Sequence, residues 1–149
     1  AAWVDQNTAC VFYATTALRN NVIVGADASN TFAEAEGPKQ NYYIRPDAAF
    51  HNWWTQCLKR PPIPDGYVIP VLRNMQGHPE APRLWSKHIH AILTKKLNLK
   101  PTTHKQSLYS GKYRGHQVLL IRQVDDFALS APTLDLANQF YEDLTLAKN

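Results

Sequence analysis

The chain has 149 residues, of which 44% are hydrophobic and 19% are charged. These values are typical of a globular protein and exclude a disordered tail, and the length predicts a single domain over residues 1–149. The net charge of +4 permits an acidic partner such as nucleic acid without requiring one.

Features that would direct the chain to a membrane or out of the cell are missing from the sequence. No apolar stretch approaches the ~20 residues of a membrane span, so we expect no membrane partner. Cys10 and Cys57 have neither disulfide nor metal-ligand spacing, which favours a reducing compartment. The first residues lack the layout of a signal peptide. We therefore expect an intracellular protein, in a cytoplasmic particle or the nucleus, that is not secreted.

Hydrophobic periodicity predicts alternating helices and strands along the chain. Helices are expected at residues 7–20, 48–58 and 133–147 and from residue 79 or 81 to residue 99, with a short helical turn at residues 28–36. Strands are expected at residues 22–27, 41–45, 67–72, 107–113, 117–124 and 127–130. Three prolines and a glycine make residues 59–66 a loop. Helices combined with an antiparallel hairpin predict the α+β class.

Two of the predicted strands end in aspartates. One β-branched run leads to Asp27, and two apolar runs flank the pair Asp125 and Asp126. Taken alone, the pair suits a hairpin turn, because aspartate tolerates turn conformations. Two strands that each deliver a carboxylate at one end are also what a divalent-metal phosphoryl-transfer site requires, since Mg²⁺ prefers oxygen ligands.

Three sequence blocks follow one another in a recognisable order. The first is Gly-Ala-Asp-Ala-Ser-Asn-Thr-Phe from Gly25, the second is Met-Gln-Gly-His-Pro-Glu-Ala-Pro-Arg-Leu-Trp from Met75, and the third is Gln-Val-Asp-Asp from Gln123. Together they resemble the palm of a reverse transcriptase, most closely that of copia-type (Pseudoviridae-like) LTR retrotransposons. That family writes the blocks as Asp-Val-Lys-Thr/Asn-Ala-Phe, Tyr-Gly-Leu-Lys-Gln-Ala-Pro-Arg-Leu-Trp and Tyr-Val-Asp-Asp. The resemblance extends from Asp5 to Leu144.

The resemblance implies catalytic and metal-binding roles for Asp27, Asp125 and Asp126. Two Mg²⁺ (or Mn²⁺) ions, ~3.5–4 Å apart, would be held by these carboxylates. One ion would activate the primer 3′-hydroxyl and the other would hold the triphosphate and the leaving pyrophosphate. By the same resemblance, Asp27 and Asp125 should matter most and Asp126 somewhat less.

The resemblance also implies contacts to nucleotide and nucleic acid. Phe32 would lie beneath the incoming sugar and exclude a 2′-hydroxyl, although a core role suits it equally well. Gln76 would contact the sugar and triphosphate, with Gly77 allowing close backbone approach, while a polar turn residue is the alternative. Arg83 would touch template or phosphate, or else be a solvated surface arginine.

The implied fold is a ferredoxin-like βαββαβ palm, an antiparallel sheet with helices on one face, plus part of the fingers. The implied function is RNA-directed DNA polymerase, acting with deoxynucleoside triphosphates on an RNA/DNA primer–template. A thumb and an RNase H domain have no room in residues 1–149, which predicts a polyprotein fragment whose partners include other domains. Two alternatives stay open: a truncated or domesticated, catalytically inactive module that binds nucleic acid or serves in assembly, and a metal-dependent nuclease.

Some residues depart from the family pattern or stand outside it. Gln123 replaces a tyrosine, and Pro79 with Glu80 replaces a basic–amide pair. We expect no zinc site among the six histidines, because those on the long helix face different sides. A loose basic district follows that helix and either tracks a nucleic-acid backbone or is a solvated face. Its members are Lys95, Lys96, Lys100, Lys105, Lys112 and Arg114.

Overall fold

The computed structural model describes residues 4–102 and 107–148. The helices in this part of the chain are α1 (Gln6–Leu18), α2 (Thr31–Glu34), α3 (Ala48–Asn52), α4 (Ala81–Ala91) and α5 (Leu134–Lys148). The strands are β1 (Val22–Asp27), β2 (Tyr43–Ile44), β3 (Ile69–Pro70), β4 (Lys100–Pro101), β5 (Leu108–Tyr113), β6 (His116–Gln123) and β7 (Asp126–Ala131). The predicted α+β class is confirmed.

A five-stranded antiparallel sheet organises the fold, with the strand order β1-β7-β6-β5-β4. Strands β6 and β7 form a hairpin, and β7 also pairs with β1, so β1 and β6 run parallel on either side of β7. The registers place Asp27 opposite Asp126. Strands β2 and β3 form a separate two-stranded sheet. The end of β1 and the tip of the β6–β7 hairpin therefore lie side by side at the same end of the main sheet.

Helices α4 and α5 cover one face of the main sheet. The apolar stripe of α4 that the periodicity predicts is buried there, with Trp85 and Ile89 fully inaccessible. Phe140 of α5 and Leu120 of β6 join the same core cluster. The Tyr141 hydroxyl donates to the Val24 carbonyl at 2.7 Å, which ties α5 to β1. This core fixes α4 directly beneath the strands that carry the aspartates.

The expectation that all helices lie on one face is wrong. Helix α1 packs on the opposite face, where buried Phe12 contacts Leu108 and Leu119. The physical reason is the composition of β6, an interior strand with apolar side chains on both faces. Leu120 points to the α4–α5 core, whereas Leu119 and Ile121 point to α1. A strand that is apolar on both faces requires cover on both.

Several predicted boundaries are also wrong. Helix α1 begins after Asp5, which is the N-cap because its carboxylate accepts from the Thr8 amide at 2.8 Å, whereas the predicted helix starts at residue 7. Strands β2 and β3 are only two residues long. Pro46 lacks the amide hydrogen that would continue the ladder, whereas beyond Pro70 the Val71 amide still donates to the Tyr42 carbonyl at 2.8 Å. Helix α2 is shorter than expected, and strand β4 was not expected at all.

The two longer predicted helices around α3 and α4 change pitch before they end. Five-residue π-helical turns, Trp53–Cys57 and Ile92–Lys96, continue α3 and α4. Hydrophobic periodicity does not distinguish such a turn from an ordinary helical one. In the described residues, no helix combines the length and the apolar character that crossing a membrane requires.

Candidate metal and nucleotide site

The three aspartates predicted as metal ligands converge at one end of the main sheet, where β1 ends and β6 turns into β7. Asp27 is the last residue of β1, and Asp125 and Asp126 follow one another at the tip of the β6–β7 hairpin. Ligand oxygens of all three lie within 4.8 Å of one another. Asp27 and Asp126 are exposed and Asp125 is half-buried. Clustered, accessible carboxylate oxygens are a donor set that suits Mg²⁺ or Mn²⁺.

The hairpin tip has an unusual backbone conformation. Val124 has φ of 54°, in the left-handed region, which a β-branched side chain rarely adopts. Its carbonyl accepts a 2.7 Å hydrogen bond from the buried Trp85 indole nitrogen. On the other side of the tip, the Ala28 amide donates to the Asp125 carbonyl at 3.0 Å. The turn that presents the aspartate pair is therefore held from α4 and from the chain after β1.

A cleft of about 310 Å³ opens beside Asp125. That volume lies at the lower end of the range for small-molecule sites. One wall is the segment after β1 that includes α2, and the other is the loop before α4. The residues that line it are Ala28, Asn30, Thr31, Phe32, Ala33, Asn74, Met75, Gln76 and Asp125.

The structure brings two of the predicted nucleotide-binding residues to this cleft. Phe32 is half-buried, packs against the main core and lines the cleft, so the two roles weighed for it are compatible. Gln76 is exposed on the opposite wall. Gly77 is exposed with φ of 88°, which accounts for a glycine there, and it is not one of the lining residues.

Arg83 lies apart from this group. Its guanidinium is on the exposed side of α4 and forms a 3.1 Å ion pair with Glu80. The side chains are 61% and 30% exposed, so water screens the pair and its contribution to stability is small. The structure places this arginine outside the residues that line the cleft.

A buried polar cluster beneath the hairpin was not anticipated. Arg122 is 6% exposed and donates to the Ser86 hydroxyl at 3.0 Å. Tyr109 is a further neighbour of Arg122, and the Tyr109 hydroxyl lies 2.9 Å from Nδ1 of His90. Burial lowers the pKa of Arg122, and the nearby tyrosine partly opposes that shift. Burial likewise raises the pKa of Tyr109. An arginine in an apolar strand was the signal in the sequence.

The sequence does not identify two further residues that line the cleft. Asn74 is 2% exposed, and its side-chain amide donates to the Glu36 carbonyl, which joins the two walls of the cleft. Thr31 is buried on the wall that carries Phe32. Their proximity in sequence to the residues that were predicted is the only signal that could have identified them.

Two members of the basic district contact α5, whereas Lys95, Lys100 and Lys112 are exposed. Arg114 forms a 3.1 Å ion pair with Asp143, and Lys96 donates to the Ala147 carbonyl, so both are engaged with α5. Among the described residues, no histidine belongs to a group of three candidate metal ligands. Lys105 of the basic district and His104 lie outside the described residues.

Comparison with protein-family models, with curated proteins and with solved structures gave no match in any of the three. Three features therefore carry the functional argument. They are the convergence of the aspartates, the adjacent cleft and the order of the strands that position them.

Proposed function

We propose that this chain is the palm, with part of the fingers, of an RNA-directed DNA polymerase from a copia-type retroelement polyprotein. The observation that carries the proposal is the convergence of Asp27, Asp125 and Asp126 within 4.8 Å, next to a cleft large enough to admit much of a nucleotide. The substrates are deoxynucleoside triphosphates and an RNA/DNA primer–template. The protein acts inside the cell, together with further domains of the polyprotein.

The topology supports this proposal. Taken in chain order, β1, α4, β6, β7 and α5 have the order of the first five elements of a βαββαβ palm. In space, β7 lies between β1 and β6 and runs antiparallel to both, which is the arrangement that such a split βαβ unit produces. Strands β4 and β5 extend the sheet beyond β6.

The donor set fits the divalent ions that the reaction needs. All three candidate ligands are carboxylates, two are exposed, and the third faces the cleft. Bound Mg²⁺ or Mn²⁺ supplies neutralisation of the triphosphate and a lowered pKa of the primer 3′-hydroxyl. The protein's own contribution is to hold the carboxylates and the substrates in position, since phosphoryl transfer needs little covalent chemistry from side chains.

The cleft walls supply the positioning. In this proposal, Phe32 presents its ring to the sugar from the wall next to β1 and selects deoxynucleotides by excluding a 2′-hydroxyl. Gln76, on the opposite wall, offers an amide to the sugar or the triphosphate. Asn74 fixes the separation of the walls through its bond to the Glu36 carbonyl. Asp27 and Asp126 are exposed to solvent, so a primer terminus can reach them.

A second candidate, an inactive module that binds nucleic acid or serves in assembly, is favoured by one observation. Pro79 and Glu80 take the place of the basic–amide pair of the family pattern, and Glu80 pairs with Arg83. The positive charge next to the nucleotide site is thereby reduced, which weakens triphosphate binding. Such a module would bind nucleic acid without a metal requirement.

Single-nucleotide extension of a labelled DNA primer on an RNA template, with Mg²⁺ or Mn²⁺, tests the proposal. The polymerase account predicts extension by the wild-type chain and none by Asp125→Asn. Asp65→Asn is the matched control, because Asp65 is exposed in a loop outside the cluster. A folded wild-type chain that binds the primer–template but does not extend it supports the inactive module. Metal-dependent shortening of the primer would instead indicate a nuclease.

A further inference from the structure

We propose that Trp85 is a positioning residue of the metal centre: its indole N–H sets the divalent-metal affinity of the aspartates by holding the Val124 carbonyl. The inference rests on the proposed function, because it concerns the same carboxylates. Trp85 does not belong to the aspartate group or to the cleft lining. In this proposal it acts through the Val124 carbonyl at the hairpin tip.

The turn needs an external restraint because its backbone is strained. Val124 adopts φ of 54°, a conformation that costs a β-branched residue free energy relative to the extended or helical regions. Strained conformations persist only when the surroundings enforce them. Without enforcement, relaxation of Val124 would rotate the following peptide units. The relative positions of Asp125 and Asp126 would change with them.

The indole is well placed to supply the restraint. Trp85 is fully buried in the core cluster that α4 shares with the main sheet. Its Nε1 donates to the Val124 carbonyl at 2.7 Å, a short distance for a hydrogen bond from nitrogen. A rigid ring anchored in the core can hold an exposed hairpin tip more firmly than a flexible surface side chain can.

A second donor approaches the same carbonyl from the sheet. Arg122 Nη1 lies 3.5 Å from the Val124 oxygen, and its Nη2 donates to the Ser86 hydroxyl at 3.0 Å. Consecutive residues of α4, Trp85 and Ser86, therefore engage the tip, one directly and one through the arginine. Because the 3.5 Å contact is at the limit of hydrogen bonding, the indole is the dominant restraint.

The test compares four forms of the full chain by Mn²⁺ titration, with thermal unfolding as a parallel measurement. In the first variant, Trp85 is replaced site-specifically by β-(3-benzothienyl)alanine, which keeps the bicyclic shape but has sulfur in place of the N–H. The second variant is Val124→Gly, which removes the strain because glycine adopts positive φ freely. The third combines both changes, and wild type completes the cycle. Trp85→Phe is a genetically simpler version of the first variant.

The wild-type indole is expected to raise Mn²⁺ affinity about 5-fold over the benzothienyl variant, the factor that one ordinary hydrogen bond supplies. In the Val124→Gly background, replacing Trp85 by the benzothienyl residue should change the Mn²⁺ affinity less than about 2-fold, because glycine adopts this backbone conformation without strain. Replacement by the isostere should also move the φ of Val124, measured by NMR couplings in the metal-free protein, out of the left-handed region.

Two results would overturn the inference: equal Mn²⁺ affinity with and without the indole N–H, or the same loss in both Val124 backgrounds. The first would mean that Trp85 acts only as a core residue, and the second would mean that its effect on metal affinity does not depend on the strained backbone of Val124. Failure of the proposed function looks different, because then even the wild-type chain would show no Mn²⁺ binding that depends on Asp27 and Asp125.

Discussion

Mutual repulsion among the three carboxylates should lower the stability of the metal-free protein. Replacing Asp126 by asparagine should stabilise the metal-free protein, although most substitutions destabilise. Asp126 is exposed, and asparagine preserves its shape while removing its charge. The substitution eliminates repulsion with both Asp27 and Asp125, whose ligand oxygens lie within 4.8 Å.

The size of the effect follows from Coulomb's law. Two unit charges separated by 4.8 Å repel by about 0.9 kcal/mol in water, and two such pairs disappear in the variant. Screening by salt reduces the sum, so we expect a gain of about 1 kcal/mol in the free energy of unfolding at low ionic strength. For a chain of this length, that corresponds to a rise in Tm of about 2–4 °C.

Divalent metal should reverse the order of stability. Mn²⁺ at 100 times its Kd stabilises a protein that binds it only in the folded state by about 2.7 kcal/mol. The Asp126→Asn variant retains two of the three carboxylate ligands, so Mn²⁺ should stabilise it less than it stabilises the wild type. Urea unfolding, followed by tryptophan fluorescence with and without Mn²⁺, measures both effects, and Asp65→Asn serves as the control. Repulsion among the carboxylates is not significant if Asp126→Asn is no more stable than wild type without metal, and Asp126 is not a ligand if Mn²⁺ stabilises both proteins equally.

Three further outcomes are expected. Gly111→Ala should lower the free energy of unfolding by about 1–3 kcal/mol, because a Cβ there would lie 3.0 Å from a backbone oxygen. Gly25→Ala should be tolerated, because its Cβ would meet only an ordinary 3.8 Å contact. Chemical denaturation of the two variants measures the difference. Burial and a hydrogen bond to Asp143 raise the pKa of Tyr113 to about 12. The contribution of Tyr113 to the free energy of unfolding is therefore complete below about pH 10 and should be lost as the pH rises through about 12. Tyr113→Phe should flatten that part of the profile of stability against pH, and an unchanged profile would contradict this. Phe32→Val should raise ribonucleotide incorporation relative to deoxynucleotide incorporation on the order of 10-fold in primer extension, and unchanged sugar discrimination would remove Phe32 from that role.

Much of the fold could be predicted from local pattern. The stripe of apolar residues in α4, the β5–β6 pairing and the hairpin that ends in Asp125 all follow from hydrophobic period and strand length. The meeting of Asp27 with Asp126 was predictable only because the three blocks occur in a recognisable order. Strand pairing between β1 and β7 joins residues about a hundred positions apart, and no local signal specifies it.

Other features depend on tertiary structure and could not be predicted. The position of α1 on the opposite face depends on how β6 is shared between two cores. Nothing in the local sequence indicates that Val124 has positive φ, since valine disfavours it and only the Trp85 bond reveals how it is held. The lining role of Asn74 likewise depends on the distant Glu36 carbonyl.

Anomalous diffraction would show whether the three aspartates form the metal centre of a polymerase. The crystals would contain the chain with Mn²⁺, a primer–template and a non-hydrolysable deoxynucleoside triphosphate. We expect two manganese peaks in contact with the carboxylates of Asp27 and Asp125, with the triphosphate in the cleft between Phe32 and Gln76. A triphosphate bound elsewhere, or an aspartate cluster that holds no manganese while substrate is bound, would contradict it.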